Sequence, residues 1–345
     1  MSPQPVYFFL PRDRWPQTVP ERLDGYHPGC ADDIFRWITQ TYVHLRQRGV
    51  ACELVNQLPA AGIVIAHRDC LHPGGYLSPH PDLFWVCLQS DRPLLAYAQQ
   101  QVLPNPLWAQ QQPNSHYIGA WPTPVRSRCS QRGDRFETVA YVGHLNDLAD
   151  ELKQYRFRQQ IEALGLRWQA RLHDPYDYQD IDAVVAVRSF NPERLRKTRQ
   201  FMHQSAQKLC DAWLAGVPAI LGPESACQPL QQSPPAYLEA RSVTDVLAAL
   251  QQLRDRPSWR QQLIASGQRQ AQAFSAIAAD WQQYLSTAVW PAYRVWQSLP
   301  LAERQAQIDQ QQQRVDQENR AIAAQVRRAA ELRTAHLPYD LSEKL

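Results

Sequence analysis

Two positive side chains, Arg188 and Lys208, and the stretch behind them carry the most readable chemistry in this chain. Arg188 follows the run Asp182-Ala-Val-Val-Ala-Val187, which reads as a buried strand. Ligands of open parallel sheets sit beyond the carboxyl ends of strands, and a guanidinium there offers a planar fork that matches a pyrophosphate. A surface salt bridge is the plain alternative for Arg188. Lys208 opens the segment Lys208-Leu-Cys-Asp-Ala-Trp-Leu-Ala-Gly-Val-Pro-Ala-Ile-Leu-Gly-Pro-Glu224. It reads as a helix stopped by Gly216, a buried strand over Val217–Leu221 and a loop that holds Glu224. A lysine in a first helical turn opposes the helix dipole, while the free N–H groups there attract an anion; a bound phosphate reconciles the two. Gly143-His144-Leu145-Asn146 occupies the same kind of position after the strand Phe136–Val142, and helix capping by Asn146 is the alternative to a ligand role.

Nearer the start, His67, Arg68 and Asp69 follow the apolar run Gly62–Ala66. A His67–Asp69 arrangement would take a proton from a hydroxyl, although neighbouring residues at a strand end diverge and ordinary loop hydrogen bonding is the alternative. His67, Cys70 and His72 form a fragment of a metal-ligand spacing, with His80 as the candidate fourth ligand, but the spacing fits no established pattern, and no DxD motif appears where a GT-A metal site would need one. The loop Asp24–Gly29 contains Gly25, His27 and Gly29 but is not G-x-G-x-x-G, so a dinucleotide fingerprint is absent.

The pattern Lys-Leu-x-[Glu/Asp]-Ala-x-x-Ala-Gly-x-Pro-x-Ile resembles the donor-site signature of GT-B glycosyltransferases, especially the retaining E-x7-E type. The motif covers about 17 residues, and the strand–helix pattern extends the resemblance over Val6–Trp296. It implies an α/β protein of two Rossmann-like domains facing a cleft, and transfer of a sugar from a nucleotide-sugar to an acceptor. By this resemblance Asp211 takes the ribose and Lys208 a phosphate, and Arg188, beyond its strand end, is placed for the same diphosphate. Gly143 and His144 touch donor phosphate or sugar; Glu224 meets the sugar hydroxyls, with Ser225 and Ala226 offering backbone N–H groups. Gly25, His27 and Gly29 belong to an acceptor loop, and His67 and Asp69 are the candidates for acceptor activation. The only small molecule required is the nucleotide-sugar donor; no metal or other cofactor is implied. Two positions depart from the signature: His203 stands where retaining enzymes place an acid, and Asp211 is one methylene shorter than Glu. A GT-B-like binding or assembly protein without catalysis is therefore the alternative, and a nucleotide-sugar epimerase a weaker one.

The elements that must hold these residues alternate twice between strand and helix. Strands are predicted at Val6–Leu10, Ala51–Val55, Gly62–Ala66, Leu83–Leu88 and His116–Trp121, with a helix from Asp32 to Arg48. The pattern restarts after Trp121-Pro-Thr-Pro124, with strands at Phe136–Val142, Arg167–Leu172, Asp182–Val187, Val217–Leu221 and Tyr237–Ala240. Helices are expected from Asn146 to Leu164, Lys208 to Ala215, Val243 to Arg254 and Trp259 to Ala273. Domains follow at 1–125 and 135–275, with a helix over 276–299 crossing back to the first domain and a long polar helix over 300–336. In that last helix Leu301, Ile308, Val315, Ile322 and Ala329 recur every seven residues with mostly polar companions. It reads either as a solvated helix with one stripe on its own protein or as a self-association or partner-docking helix.

The whole chain sets the remaining bounds. Its 345 residues suit two domains, and 44% hydrophobic against 20% charged residues describe a packed protein. A net charge of +3 gives no argument for nucleic acid. Seven scattered cysteines without a CxxC fit a reducing cytoplasm. No apolar run approaches the ~20 residues needed to span a bilayer, and no secretory signal is visible.

Overall fold

The computed structural model describes residues 6–23, 27–71, 80–91, 98–172, 176–231, 233, 235–311, 313, 317, 320 and 324. Two parallel sheets dominate it. The first contains β1 (Val6–Phe9), β2 (Cys52–Val55), β3 (Gly62–His67), β4 (Leu83–Leu88), β5 (Gln100–Leu103) and β6 (Ser115–Tyr117), in the order β2-β1-β3-β4-β5-β6. The second contains β7 (Thr138–Val142), β8 (Arg167–Arg171), β9 (Ala183–Ala186), β10 (Ala219–Leu221) and β11 (Leu238–Glu239), in the order β11-β10-β9-β7-β8. Both sheets are doubly wound, and strand order reverses between β1 and β3 in one and between β7 and β9 in the other. Such reversals open a crevice at the carboxyl ends of the two central strands, the usual ligand position of open α/β sheets. Every residue of β3, β4, β7, β9 and β10 is buried, which is why these strands are continuous apolar runs rather than alternating ones.

The helices that accompany the strands ahead of residue 300 include α1 (Thr41–Gln47), α2 (Pro106–Gln111), α3 (Asp150–Lys153), α4 (Tyr155–Ala163), α5 (Pro192–Lys197), α6 (Gln207–Ala215), α7 (Val243–Asp255), α8 (Pro257–Ala271), α9 (Ile277–Tyr284) and α10 (Trp290–Ser298). Three differences from the sequence reading have physical causes. The helix expected from Asn146 is broken: a short 3-10 turn over Leu145–Asp147 precedes α3, and extended Gln154 separates α3 from α4. The unforeseen strand β5 is glutamine-rich, and its buried Gln101 is satisfied by the Gln89 side chain. α2 and α5 are also new; each starts at an Asn (Asn105, Asn191) whose side chain caps two N–H groups and is followed by proline.

Each sheet has its own core, and the end of the chain belongs to the first. Ile277, Trp281, Tyr284, Val289, Tyr293 and Trp296 pack with Phe8, Phe84 and their neighbours, and Trp281 meets Phe8 edge-on at 6.5 Å between ring centroids. Trp296 donates its indole N–H to the Pro81 carbonyl at 3.0 Å. π-helical turns over Leu285–Val289 lie just ahead of Pro291, which lacks an N–H and cannot continue the α-helical ladder. Residues 301–311 are helical, and Arg304 ties them to the first domain through the Pro81 carbonyl (2.8 Å) and Asp82 (2.6 Å). Ile308 is 4% exposed and Leu301 59%, so the first two members of the heptad stripe do not share one environment. Val315, Ile322 and Ala329 lie outside the described residues.

At the opposite end of the second sheet from its ligand edge, buried Asp182 accepts from Arg128 Nε (2.9 Å), Arg132 Nη2 (2.6 Å) and the N–H groups of Glu137 and Thr138 (2.9 Å each). This carboxylate fixes the interdomain connection to the second domain. Among the described residues no helix is long and apolar enough to cross a membrane.

Candidate functional site

Arg188 and Lys208 come together, and what joins them is an acid the sequence reading did not single out. Arg188 lies just past β9 and Asp147 in the loop after β7, so they flank the reversal of the second sheet. Arg188 Nη1 is 2.6 Å from Asp147 Oδ1, Lys208 Nζ is 3.7 Å from Asp147 Oδ2, and Arg188 Nε is 3.1 Å from Glu224 Oε2. Arg188 and Glu224 are each 6% exposed, while the Lys208 and Asp147 side chains keep 25% and 37% of their surface open. Burial works against the Arg188 charge, but Glu224 and Asp147 more than offset it and hold the group above its ordinary value. Burial raises Glu224, an effect that Arg188 and Lys208 only partly reverse. Burial and the nearby Arg188 charge lower Lys208.

Local chemistry explains the convergence. Gly143 has φ +132°, a left-handed conformation that suits glycine, and a Cβ there would lie 3.2 Å from Lys208 Cε. The lysine crosses that empty space above the Tyr141 ring, 5.9 Å from its centroid. Tyr141 in turn donates its hydroxyl to the His144 carbonyl at 2.6 Å, shaping the Gly143–Asp147 turn. The His144 side chain is exposed on that turn and caps nothing. α6 starts after Ala206, which has no side-chain acceptor; the Gln207 N–H donates instead to the Ser205 hydroxyl at 3.4 Å and the Leu209 N–H to the Ala206 carbonyl at 3.0 Å.

The loop between α5 and α6 is strained. Arg199, Gln200 and Phe201 all have positive φ (48°, 55° and 56°), costing on the order of 1 kcal/mol per residue for L side chains. Gln200 repays it with a full set of bonds: its N–H to Leu195 O (2.7 Å), its carbonyl from the Ser225 N–H (3.0 Å) and its side chain from Gln228 (2.6 Å). Phe201 places its ring beneath Arg188 (5.9 Å) and Arg194 (5.6 Å). The Ser225 N–H expected to be open for a ligand is therefore occupied, and its hydroxyl accepts from Asn105 Nδ2 of the first domain at 2.8 Å.

Asp211 sits one turn along α6 from Lys208. Its carboxylate is 7% exposed and accepts from Gln207 Nε2 (2.8 Å) and from the Thr123 hydroxyl of the interdomain connection. Burial raises its pKa; Thr123, Gln207, Arg36 and Lys208 oppose the rise. His203 packs edge-on against Trp108 of α2, 4.5 Å between centroids, and burial and the Arg199 charge keep it below its usual value.

The first domain presents a second cluster at its own reversal point. The expected pairing of His67 with the Asp69 carboxylate is corrected here: His67 Nδ1 accepts the Asp69 backbone N–H at 3.1 Å, and Nε2 lies 3.5 Å from Asp33 Oδ2. An accepting Nδ1 carries no proton, which leaves the ring N–H on Nε2, facing Asp33. Asp33 also accepts from Arg36 Nη2 (2.8 Å) and the Ser90 hydroxyl. Burial pushes Asp33 up, yet the His67 hydrogen bond, the Arg36 charge and Ser90 together hold it down at about 2. Arg36 Nε and Nη1 are buried without a hydrogen-bond partner among the described residues, and its charge acts on Tyr176 and Asp211 across the cleft. Tyr176 closes that gap on one side by donating to the Ala31 carbonyl at 3.1 Å. Of the expected acceptor loop, Gly25 lies outside the described residues. His27 accepts the Gly29 N–H at 3.0 Å and stacks on Phe35 (4.9 Å). A Cβ on Gly29 would lie 2.7 Å from that ring, so this glycine serves local packing.

Comparison with known proteins gives likeness of structure only. No family model matches the chain, and no curated protein matches its sequence. Among solved structures it is similar to a sucrose-phosphate synthase from Thermosynechococcus elongatus, at 11% identity and a TM-score of 0.48 over 82% of this chain and 98% of that one. It is also similar to Anabaena HepE in complex with UDP and glucose, at 11% identity and a TM-score of 0.45 over 82% of this chain and 99% of that one. A third similarity is to the pneumococcal O-GlcNAc transferase GtfA in complex with UDP and GlcNAc, at 10% identity and a TM-score of 0.43 over 61% of this chain and 53% of that one. By its own strand pairing the chain is a two-domain α/β protein with doubly wound parallel sheets and C-terminal helices returned to the first domain.

Proposed function

We propose that this protein transfers a sugar from a nucleotide-sugar to an acceptor held against its first domain. The observation that carries the reading is the convergence of Arg188 and Lys208 on a single carboxylate, Asp147, at the reversal point of the second sheet. Two cations gathered on one internal anion suit a diphosphate that displaces Asp147. As the sugar–oxygen bond breaks, its electron pair moves to the leaving diphosphate, where Arg188 and Lys208 stabilise the charge. The acceptor hydroxyl bonds to the vacated sugar carbon. Asp33, held at about 2, is a weak base, so its role is to orient that hydroxyl by accepting its hydrogen bond. The departing phosphate oxygen, with a second pKa of about 6, is the better proton acceptor. Glu224 keeps Arg188 in place.

One arrangement favours a second reading, a binding protein without turnover: His203 replaces the expected acid and packs on Trp108. Titration with a panel of nucleotide-sugars, followed by product analysis with and without acceptor extracts, separates the two. Transfer supports the first reading; saturable binding without transfer or hydrolysis supports the second; no nucleotide binding ends both.

A further inference from the structure

We propose that the pocket between α2 and α5 is a subsite for a phosphomonoester, and that the acceptor of the transfer is a phosphorylated molecule. This rests on the transferase reading for the word acceptor; the anion site itself does not. The cavity measures about 610 Å³ and spans both domains, with Leu107 and Gln111 on one side and Arg196, Arg199, Ser225 and Arg241 on the other.

The arginine pairing around the pocket is uneven. Arg188 is held by Asp147 and Glu224, Arg194 lies over Phe201, and Arg241 bonds Glu239 at 2.7 Å. Among the described residues the Arg196 and Arg199 side chains have no carboxylate partner, although both line the same concavity. The one acid of that helix, Glu193, is engaged by Lys197 at 2.7 Å. The Arg199 charge helps lower the proton affinity of His203, as an uncompensated cation would. The backbone also commits to this arrangement: three consecutive left-handed residues begin at Arg199 and are pinned through Gln200 to Ser225. Ser225 directly follows Glu224, so the pocket adjoins the position assigned to the donor diphosphate. Two exposed arginine forks without a carboxylate partner among the described residues, lining one concavity with the apolar Leu107, Leu195 and Met202, match a doubly charged phosphate on a carbon skeleton.

The test uses the full chain and two probes, a hexose 6-phosphate and the same hexose without phosphate, measured by calorimetry. The phosphate ester should bind at least tenfold more tightly than the free hexose. Arg196→Gln/Arg199→Gln should lose at least tenfold of that affinity while nucleoside diphosphate binding stays within twofold. Lys208→Ala should do the reverse. Cosedimentation with phosphatidylcholine vesicles containing phosphatidic acid distinguishes the source of the phosphate: retention that the double variant loses, without hexose phosphate binding, assigns it to a lipid headgroup. If neither probe separates the wild type from the double variant, the subsite is overturned. If nucleoside diphosphates fail to bind while the hexose phosphate still does, the donor reading falls and the subsite stands.

Discussion

Arg188 and Asp147 meet at 2.6 Å across the point where the strand order of the second sheet reverses, joining the loops that leave β9 and β7. The second domain thus holds an internal anion at the crevice that its strand reversal opens. Lys208 leans on the same carboxylate, and Glu224 supports the arginine from behind. Four charges of alternating sign cancel, so this mostly buried cluster is balanced internally.

Removing a cation should separate the phosphates from the nucleoside. Lys208→Ala and Arg188→Ala are each expected to weaken nucleoside diphosphate binding by about ten- to a hundredfold, the worth of a charge-assisted hydrogen bond, and nucleoside binding by less than about threefold. Calorimetry with the two ligands decides this. Equal losses for both would defeat the phosphate assignment.

Asp147→Asn should act in the opposite direction. The amide keeps the shape but not the competing charge, so diphosphate affinity is expected to rise by about three- to tenfold. A fall in affinity would mean that Asp147 assists the ligand rather than standing in for it.

In the first domain, Asp33→Asn is expected to reduce transfer by about tenfold or more while leaving donor affinity intact. Because Asp33 is held at about 2, below the ordinary carboxylate value of about 3.9, it stays ionised through neutral pH. Its removal should leave the shape of the rate profile between pH 5 and 8 unchanged. An inflection in that range that vanishes in the variant would show a proton-transfer role.

Asp182 offers a test of stability alone. Burial pushes its pKa up, but Arg132, the Glu137 and Thr138 amides and Arg128 win and hold it below its ordinary value. Asp182→Ala should cost about 3–5 kcal/mol by denaturant unfolding, because two arginines lose their buried partner. A group whose folded pKa is depressed contributes stability above its unfolded value, near pH 4, and loses it as pH falls through the folded value. The difference between wild type and variant should therefore be full at pH 7 and shrink below pH 4; a gap unchanged at pH 3 contradicts the ion-pair account.

Strands such as β4 were legible because six consecutive apolar residues lie buried between layers, leaving a run no other element explains. β5 was not, since its buried Gln101 accepts from the Gln89 side chain inside the protein, and glutamines look like loop residues in isolation. α5 is short and charged with no apolar stripe to betray it. Arg188 and Lys208 could be read because each stands at the edge of a recognisable element. Asp147 and Asp33 could not: their meaning depends on loops brought together only by the crossing of strands. In the sequence Asp33 stands beside the start of the helix expected from Asp32 to Arg48, and nothing local links it to His67 or Ser90. The strand reversals, once known, are the signal that would have pointed to both.

The aromatic residues of α9 and α10 that complete the first sheet's core lie near the far end of the chain. During synthesis, which proceeds at about 5–20 residues per second, the first sheet must wait, unfinished, while the whole second domain emerges. The second domain, whose core needs nothing beyond α8 and its neighbours, is free to fold first. Maturation order is thereby inverted relative to chain order, and a ribosome stalled before Trp281 would leave Phe8 and Phe84 uncovered for chaperones to find.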